Sequence, residues 1–223
     1  MALTKVIGAG LGTVTEDQVF GGATPTVTIG DAGAEDAKIV FDGNAQDYHI
    51  GLDDSADTLV IGKGSALGTT TAMSFDANGI ITKPLQPAFH VHQGSAQNNL
   101  SPSSTTTITF ANENFDNNSD FSSNTFTAPV TGKYQINATV RMDTLDIDTP
   151  YVIVNIVTSN RTVQLIQGTS GFDADQLYQI ISGSHVMDMD ANDTVILAVN
   201  LPGGGASQAD ISDQTRFSGY LVC

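Results

Sequence analysis

The sequence predicts an all-β protein, and three observations carry that reading. Polar character comes from Thr, Ser, Asn, Asp and Gly, which suit turns and solvent-facing strand positions, whereas Lys and Glu are scarce. There are 22 glycines, enough to punctuate the whole chain. Between the punctuation lie short runs of apolar residues, each ending at a Gly or Asp turn signal.

Residues 1–30 carry the weakest pattern, interrupted by Gly8, Gly10, Gly12, Gly21 and Gly22. They read as a flexible leader or as an anchor that orders only against a partner, here other proteins of a particle. From residue 24 to 83 the runs TVTIGD, AKIVFDGN, DYHIGLDD, DTLVIGKG and MSFDANGII follow one another. They recur about every ten residues, the spacing of short strands joined by tight turns. Asp42-Gly43 and Asn78-Gly79 are hairpin-grade dipeptides. Each strand holds too few apolar residues to bury a core alone. Identical chains side by side would supply the missing faces and make residues 31–86 a β-repeat stalk. The other reading is a small separate β-domain. The texture of this stretch resembles the repeat segments of bacteriophage fibre and virion proteins.

Lys83-Pro84-Leu85-Gln86-Pro87 marks the domain boundary, because two prolines this close cannot sit in a central strand. The head then covers residues 87–223. Ala88 to Gln93 alternates, with Phe89 and Val91 on one face and His90 and His92 on the other. Ser101 to Thr107 is a polar lead-in to Ile108 and Phe110, and Phe115, Phe121 and Phe126 follow in a turn-rich stretch. After Thr131-Gly132, Tyr134, Ile136, Ala138 and Val140 share a face. Tyr151 to Val157 is almost entirely β-branched or aromatic and is expected to be buried on both faces. Further strands are expected at Thr162 to Ile166, Gln176 to Ile181, Val186 to Met189, Val195 to Val199 and Phe217 to Val222. The fourth follows an Asp190-Ala191-Asn192-Asp193 turn. So many strands with short turns make a sandwich or jelly roll.

Here the motifs become specific. PAFHV (Pro87 to Val91), ITFANENFD (Ile108 to Asp116), DFSSNTFTAPVTGKYQI (Asp120 to Ile136), SGSHVMDMDANDTVILAV (Ser182 to Val199) and FSGYLV (Phe217 to Val222) stand in this order. Residues 87–223 therefore resemble the C1q-like, TNF-related jelly roll. Asn192 stands where the family usually has Gly, a mild departure because Asn tolerates a left-handed backbone. No collagen repeat precedes the head; the β-repeat segment takes that place. The resemblance implies a ten-strand jelly roll and a tight homotrimer, packed through aromatic and aliphatic residues of one sheet at the three-fold axis. It implies no ligand, since the fold is a scaffold whose loops choose the partner.

Composition excludes several classes. With 8 basic against 24 acidic residues and no basic patch, binding to nucleic acid is not expected. No apolar run approaches the roughly 20 residues of a membrane-spanning helix, and the N-terminus lacks the apolar core of a signal peptide. Membrane insertion is thus not expected. Cys223, the single cysteine, cannot form an intrachain disulfide and leaves an interchain link open. No G-x-S-x-G elbow accompanies the four histidines. Most carboxylates stand beside Gly, Asn or Ser, where Asp forms turns. No enzyme and no cofactor are expected.

Two groups could hold a metal. His90 and His92 could converge as six imidazoles on a three-fold axis, as in phage fibre tips that hold octahedral iron through an H-x-H pair; otherwise they are solvent-facing strand residues. Asp188, Asp190 and Asp193 invite calcium, but their loop lacks the Gly and the distal Glu of an EF-hand. Alternation puts Asp188 and Asp190 on the wet face while Met187 and Met189 enter the core. Candidate ligand loops are Asn112 to Asn124, Thr144 to Thr149, Gly168 to Gln176 and Pro202 to Asp213. The expectation for function is a non-enzymatic virion structural protein of a bacteriophage, displayed on the particle surface. Its trimeric knob would touch host glycan or protein as a tail fibre, or decorate the capsid as a head fibre or cement protein. The alternative is a secreted or surface bacterial adhesin with the same head.

Overall fold

The computed structural model describes residues 17, 19–203 and 208–223. Most of the expected leader, residues 1–16 and 18, and part of one candidate loop, residues 204–207, lie outside the described residues.

The N-terminal strands are β1 (Ala37–Phe41), β2 (Tyr48–Asp53), β3 (Thr58–Lys63), β4 (Thr71–Phe75) and β5 (Ile81–Thr82). Each pairs antiparallel with the next, so four of the five expected runs build a single meander sheet. The remaining run, Thr26 to Asp31, forms no strand. Its Gly30 has φ 97°, which takes the chain out of the extended region before it can pair along β1. Turn chemistry is local. Asn78-Gly79 makes the β4–β5 turn: Gly79 has φ 78°, and the Asp76 carboxylate accepts from the backbone N–H of Asn78 and Ile80 at 2.9 and 2.8 Å. Asp42-Gly43 opens a longer connection instead, closed where Gly43 N–H donates to Asp47 Oδ1.

Cross-strand partners share a face. One face of this sheet carries the rows Ile39–Ile50–Ile61–Met73 and Ala37–Leu52–Leu59–Phe75–Ile81. Ile39, Leu52, Leu59 and Ile81 on it are 43–52% exposed. The opposite face holds buried His49 and Val60 and is covered by the β3–β4 connection, where Lys38 Nζ donates to Ser65 O and His49 Nδ1 donates to Gly64 O. Gly51 and Gly62 permit this cover, since a Cβ on either would stand within 2.9 Å of the loop or of the His49 ring.

The head begins with β6 (Ala88–His92), β7 (Thr105–Thr107), β8 (Asn112–Asp116), β9 (Phe121–Ser122) and β10 (Thr125–Thr127). It continues with β11 (Gly132–Leu145), β12 (Tyr151–Thr158), β13 (Thr162–Gly168), β14 (Gln176–Met189), β15 (Thr194–Asn200), β16 (Asp210–Ile211) and β17 (Arg216–Leu221). One sheet runs β13-β12-β15-β10-β9, with β7 also on β15. The other runs β14-β11-β17-β6-β8, with β16 also on β11. Between them lies one core, from Phe89 and Val91 on β6 to Tyr134, Ile136, Val140 and Met142 on β11 and Val152, Val154 and Ile156 on β12. Phe89 is its centre, with ring centroids 4.6 Å from Phe126, 5.1 Å from Phe217 and 5.2 Å from Phe121.

Two expectations need correction. Gln176 to Ile181 and Val186 to Met189 are not separate strands but one, β14, paired along its length with β11. Ser182-Gly183-Ser184 does not break it, because Gly183 lies opposite Ala138 and leaves room for Leu165, whose Cδ2 would meet a Cβ at 2.7 Å. The expected loop Asn112 to Asn124 starts with β8, which satisfies the otherwise free edge of β6. The joint to the head is stitched by side chains. Asn118 Nδ2 donates to Leu85 O, Asn117 Nδ2 to Gln86 O and Gln86 Nε2 to Leu221 O.

Candidate functional site

The two outward faces of the head differ in chemistry. On the sheet with β14, the register stacks Val186–Gln135–Tyr220–Ala88, then Ser184–Asn137–Ser218–His90–Phe115, then Ser182–Thr139–Arg216–His92–Asn112. Val186 and Tyr220 are 50% and 48% exposed, and Tyr178, Ile180 and Leu177 on β14 are exposed too. This face is mixed, with apolar groups bare to solvent beside the charged side chains of Lys133, Arg141, Asp143, Asp188 and Arg216.

His90 and His92 share this face, as their spacing predicts. Asn114 Nδ2 donates to His90 Nδ1 at 3.1 Å, and His92 Nδ1 donates to Gln93 O at 2.9 Å. Phe115 meets His90 edge-on at 5.9 Å. Arg216 is the cross-strand partner of His92, and a cation there opposes a second positive charge on the same patch. Partial burial, with help from Arg216 and then His92, holds the His90 imidazole below its usual range. Folding thus favours the neutral ring. The unfolded chain binds this proton at higher pH than the folded one, so stability from this site is full above about pH 6.5 and is lost as pH falls through the lowered folded value. We expect the melting temperature of His90→Asn to drop less between pH 7 and 5 than that of the wild type, read by circular dichroism. An equal drop would remove His90 from the pH response.

Asp188, Asp190 and Asp193 do different jobs. Asp188 faces outward opposite Lys133, while Met187 and Met189 are buried as alternation requires. Asp193 braces the β14–β15 turn: its Oδ2 accepts from the Asp190 N–H at 2.8 Å and from Asn160 Nδ2. Asn192 in that turn has φ 74°, the left-handed conformation its residue type tolerates. Among the described residues no three His, Cys, Asp or Glu side chains stand together as a metal cluster.

The candidate loops are partly structural. Asn124 Oδ1 accepts from the Phe110 N–H, which ties the first loop to the head, and the hydroxyl of Thr169 donates to Thr149 O, which ties the third loop to the second. In the first loop, burial pushes the Asp120 carboxyl up, and Asp116 beside it adds to the effect. The last loop contains β16, paired to β11 at Asp143 and Met142.

The other outward face holds a cleft that sequence reasoning missed. Its rows are Ile166–Ile153–Asn200–Thr105, then Gln164–Asn155–Ala198–Thr107, then Thr162–Val157–Ile196. They enclose about 380 Å³ lined by Thr105, Ile153, Asn155, Val157, Thr162, Gln164 and Asn200. The expectation that Tyr151 to Val157 is covered on both faces therefore fails. Val152, Val154 and Ile156 face the core, but Tyr151 is 39% exposed and Ile153 and Val157 are half-buried. Among the described residues no layer covers the outer side, as one would in a parallel sheet. The available signal was Asn155, a lone carboxamide inside a β-branched run.

Comparison with known proteins agrees with this architecture. Residues 88–222 match the family model described as the C1q domain. Among solved structures, the globular domain of zebrafish complement 1qA protein is similar at 20% identity, covering 62% of this chain and 98% of that one, with a TM-score of 0.45. Murine APRIL at pH 8.5 is similar at 13% identity, covering 61% of this chain and 99% of that one, with a TM-score of 0.44. No curated protein matches the chain. C1q domains are binding and structural modules, often used in trimeric adhesion or recognition, and no enzyme family is indicated. With the family pattern running through more than half of its length, the chain belongs to the C1q domain family.

Proposed function

We propose that the protein is a homotrimeric, non-enzymatic structural protein of a bacteriophage particle. Its C1q head is displayed at the surface as a short fibre or knob that adheres to host glycan or protein, or decorates the capsid. One observation carries the trimer: a single chain leaves apolar surface bare on two sheets. The N-terminal sheet exposes Ile39, Leu52, Leu59 and Ile81 on one face, and the head exposes Val186, Tyr220, Tyr178 and Ile180 on another. The residues on the N-terminal sheet adjoin one another, and apolar patches of that kind mark association surfaces; on the head, two polar rows separate Val186 and Tyr220 from Ile180 and Tyr178. A symmetric assembly lets both be covered by copies of the same chain. A formal charge of −16 keeps such an assembly soluble and disfavours nucleic-acid partners. The particle location is supported by the short-strand texture of residues 24–83 joined to an adhesion-type head.

In this reading three weak contacts on a repetitive surface combine through avidity, so no single site needs high affinity. Labelled antibody with electron microscopy on intact particles tests the location. Label at a tail tip supports adhesion, a regular lattice on the head supports decoration, and no label on the particle removes the virion assignment. Deleting residues 1–30 should leave a soluble trimer that no longer joins the particle. Retained incorporation would remove the anchor role of that segment.

A further inference from the structure

We propose that the cleft on the outward face of β12, β13, β15 and β7 binds one unit of a neutral saccharide. This rests on the adhesion reading above and names the chemistry of the surface that would be touched. Neither a carboxylate nor a cation lines the cleft. A phosphate, sulfate or sialic acid would find no counter-charge there, and the net charge of −16 would repel it. A cationic ligand, or one bridged by calcium, would find no carboxylate. What the cleft offers is three carboxamides and two hydroxyls above two β-branched aliphatic side chains. Carboxamides donate and accept side by side, as the hydroxyls of a sugar do, and aliphatic side chains meet its C–H faces.

The polar groups are arranged in advance. Asn155 is only 7% exposed. Gln164 Nε2 donates to its Oδ1 at 3.2 Å, and its Nδ2 has no hydrogen-bond partner among the described residues. That donor is not a buried, unsatisfied atom, so it reaches the solvent of the cleft and is available to a ligand acceptor. Across the cleft Asn200 Nδ2 donates to Thr105 Oγ1 at 3.4 Å, which leaves Asn200 Oδ1 to accept. A free donor and a free acceptor thus stand on neighbouring rows. The volume, about 380 Å³, sits at the small end of ligand pockets, which span about 300–1,000 Å³. Tyr151 lies two residues before Ile153 on the same face and would serve as a platform for a second unit. Val186, Tyr220, Tyr178 and Ile180 are bare on the opposite sheet of the head, against Ile166 and Tyr151 on this one, so a trimer formed through the opposite sheet would leave the cleft open.

The test is a side-chain amide NMR titration of the full-length protein. The probes are methyl glucoside, methyl galactoside, methyl mannoside and N-acetylglucosamine, with glucuronic acid and sialic acid as anionic comparators. At least one neutral sugar should shift the Asn155, Gln164 and Asn200 side-chain signals saturably, and Asn155→Ala should weaken that binding about tenfold. Gln164→Ala, at an exposed position, should weaken it too and guards against a folding defect at Asn155. The proposal is overturned if no neutral sugar shifts these signals, if the shifts persist in both variants, or if an anionic sugar binds more tightly. Cell adhesion by labelled trimer separates this from the broader reading. Adhesion equal in wild type and both variants sinks the cleft and leaves the adhesive role standing. Absence of adhesion in all three removes the adhesive role, and the titration alone then decides the cleft.

Discussion

Phe89→Ala lowers the stability of the head by about 3–5 kcal/mol, the range for removing a fully buried aromatic ring. Phe89 is 1% exposed and touches three other rings, two of them stacked and one edge-on. Those rings come from β9, β10 and β17, so this one side chain ties β6 to both sheets. The site cannot collapse around the void. Gly219 beside it is already tight, since a Cβ there would stand 2.8 Å from the Phe89 ring and 2.8 Å from Ile136 Cδ1. Neighbouring β-strands hold their spacing through the ladder, which limits relaxation. Against a total of roughly 5–15 kcal/mol for a domain, the loss is a large share. Urea unfolding at fixed protein concentration checks it: the midpoint should fall sharply with the slope unchanged. Phe115→Ala is the control. Its ring is 49% exposed, and we expect a change of about 1 kcal/mol or less. A small effect at Phe89, or an equal effect at both, would mean that this aromatic cluster does not organise the head.

How much of this fold was legible depends on the range of the interaction that decides each element. β11 reads directly from its sequence, because Tyr134, Ile136, Ala138 and Val140 alternate with polar residues and local alternation alone assigns the inward face. The β14–β15 turn is equally local, since Asp190 to Asp193 carry their own hydrogen bonds. β8 and the continuity of β14 were hidden because each is settled by a partner far along the chain. Asn112–Asp116 is a strand only because β6 offers an edge, and Gly183 continues β14 only because Leu165 needs its space. Thr26 to Asp31 shows the converse, an alternating run that the turn at Gly30 keeps from pairing with the free edge of β1. The histidine pair was legible as a shared face, but its neighbours Arg216 and Asn114 were not, since they arrive from β17 and β8. The cleft was the least legible feature. Thr105, Asn155, Gln164 and Asn200 come from four strands, and only the register of three strand pairs sets them side by side.

The second large effect is on assembly. Introducing aspartate at Val186 and Tyr220 together should convert the proposed trimer, about three times 23.3 kDa, into a monomer, read by sedimentation at micromolar concentration. Both residues stand in one row across β14, β11 and β17, with Gln135 between them, and about half of each is bare in the isolated chain. If three copies meet through this row, each substitution places three carboxylates near one axis. Their mutual repulsion adds to the cost of burying unpaired charge, which is several kcal/mol for each ion. The fold itself should survive, because neither side chain enters the core and both sit on solvent-facing positions of the single protomer. Far-ultraviolet circular dichroism should therefore remain that of a β protein. Ile166→Asp supplies the matched control: an apolar residue 60% exposed, changed in the same way, but on the opposite sheet. It should leave the trimer intact. Dissociation by Ile166→Asp but not by the Val186 and Tyr220 pair would move the seam to the cleft-bearing sheet, and a wild-type protein that sediments as a monomer would remove the seam altogether. The N-terminal sheet makes the result graded rather than all-or-none. Its own bare face, with Ile39, Leu52 and Leu59, would hold three chains loosely together at high concentration after the heads have separated. Trimer recovery in the double variant as concentration rises would therefore point to that second surface, and combining the double variant with Leu52→Asp should abolish the recovery.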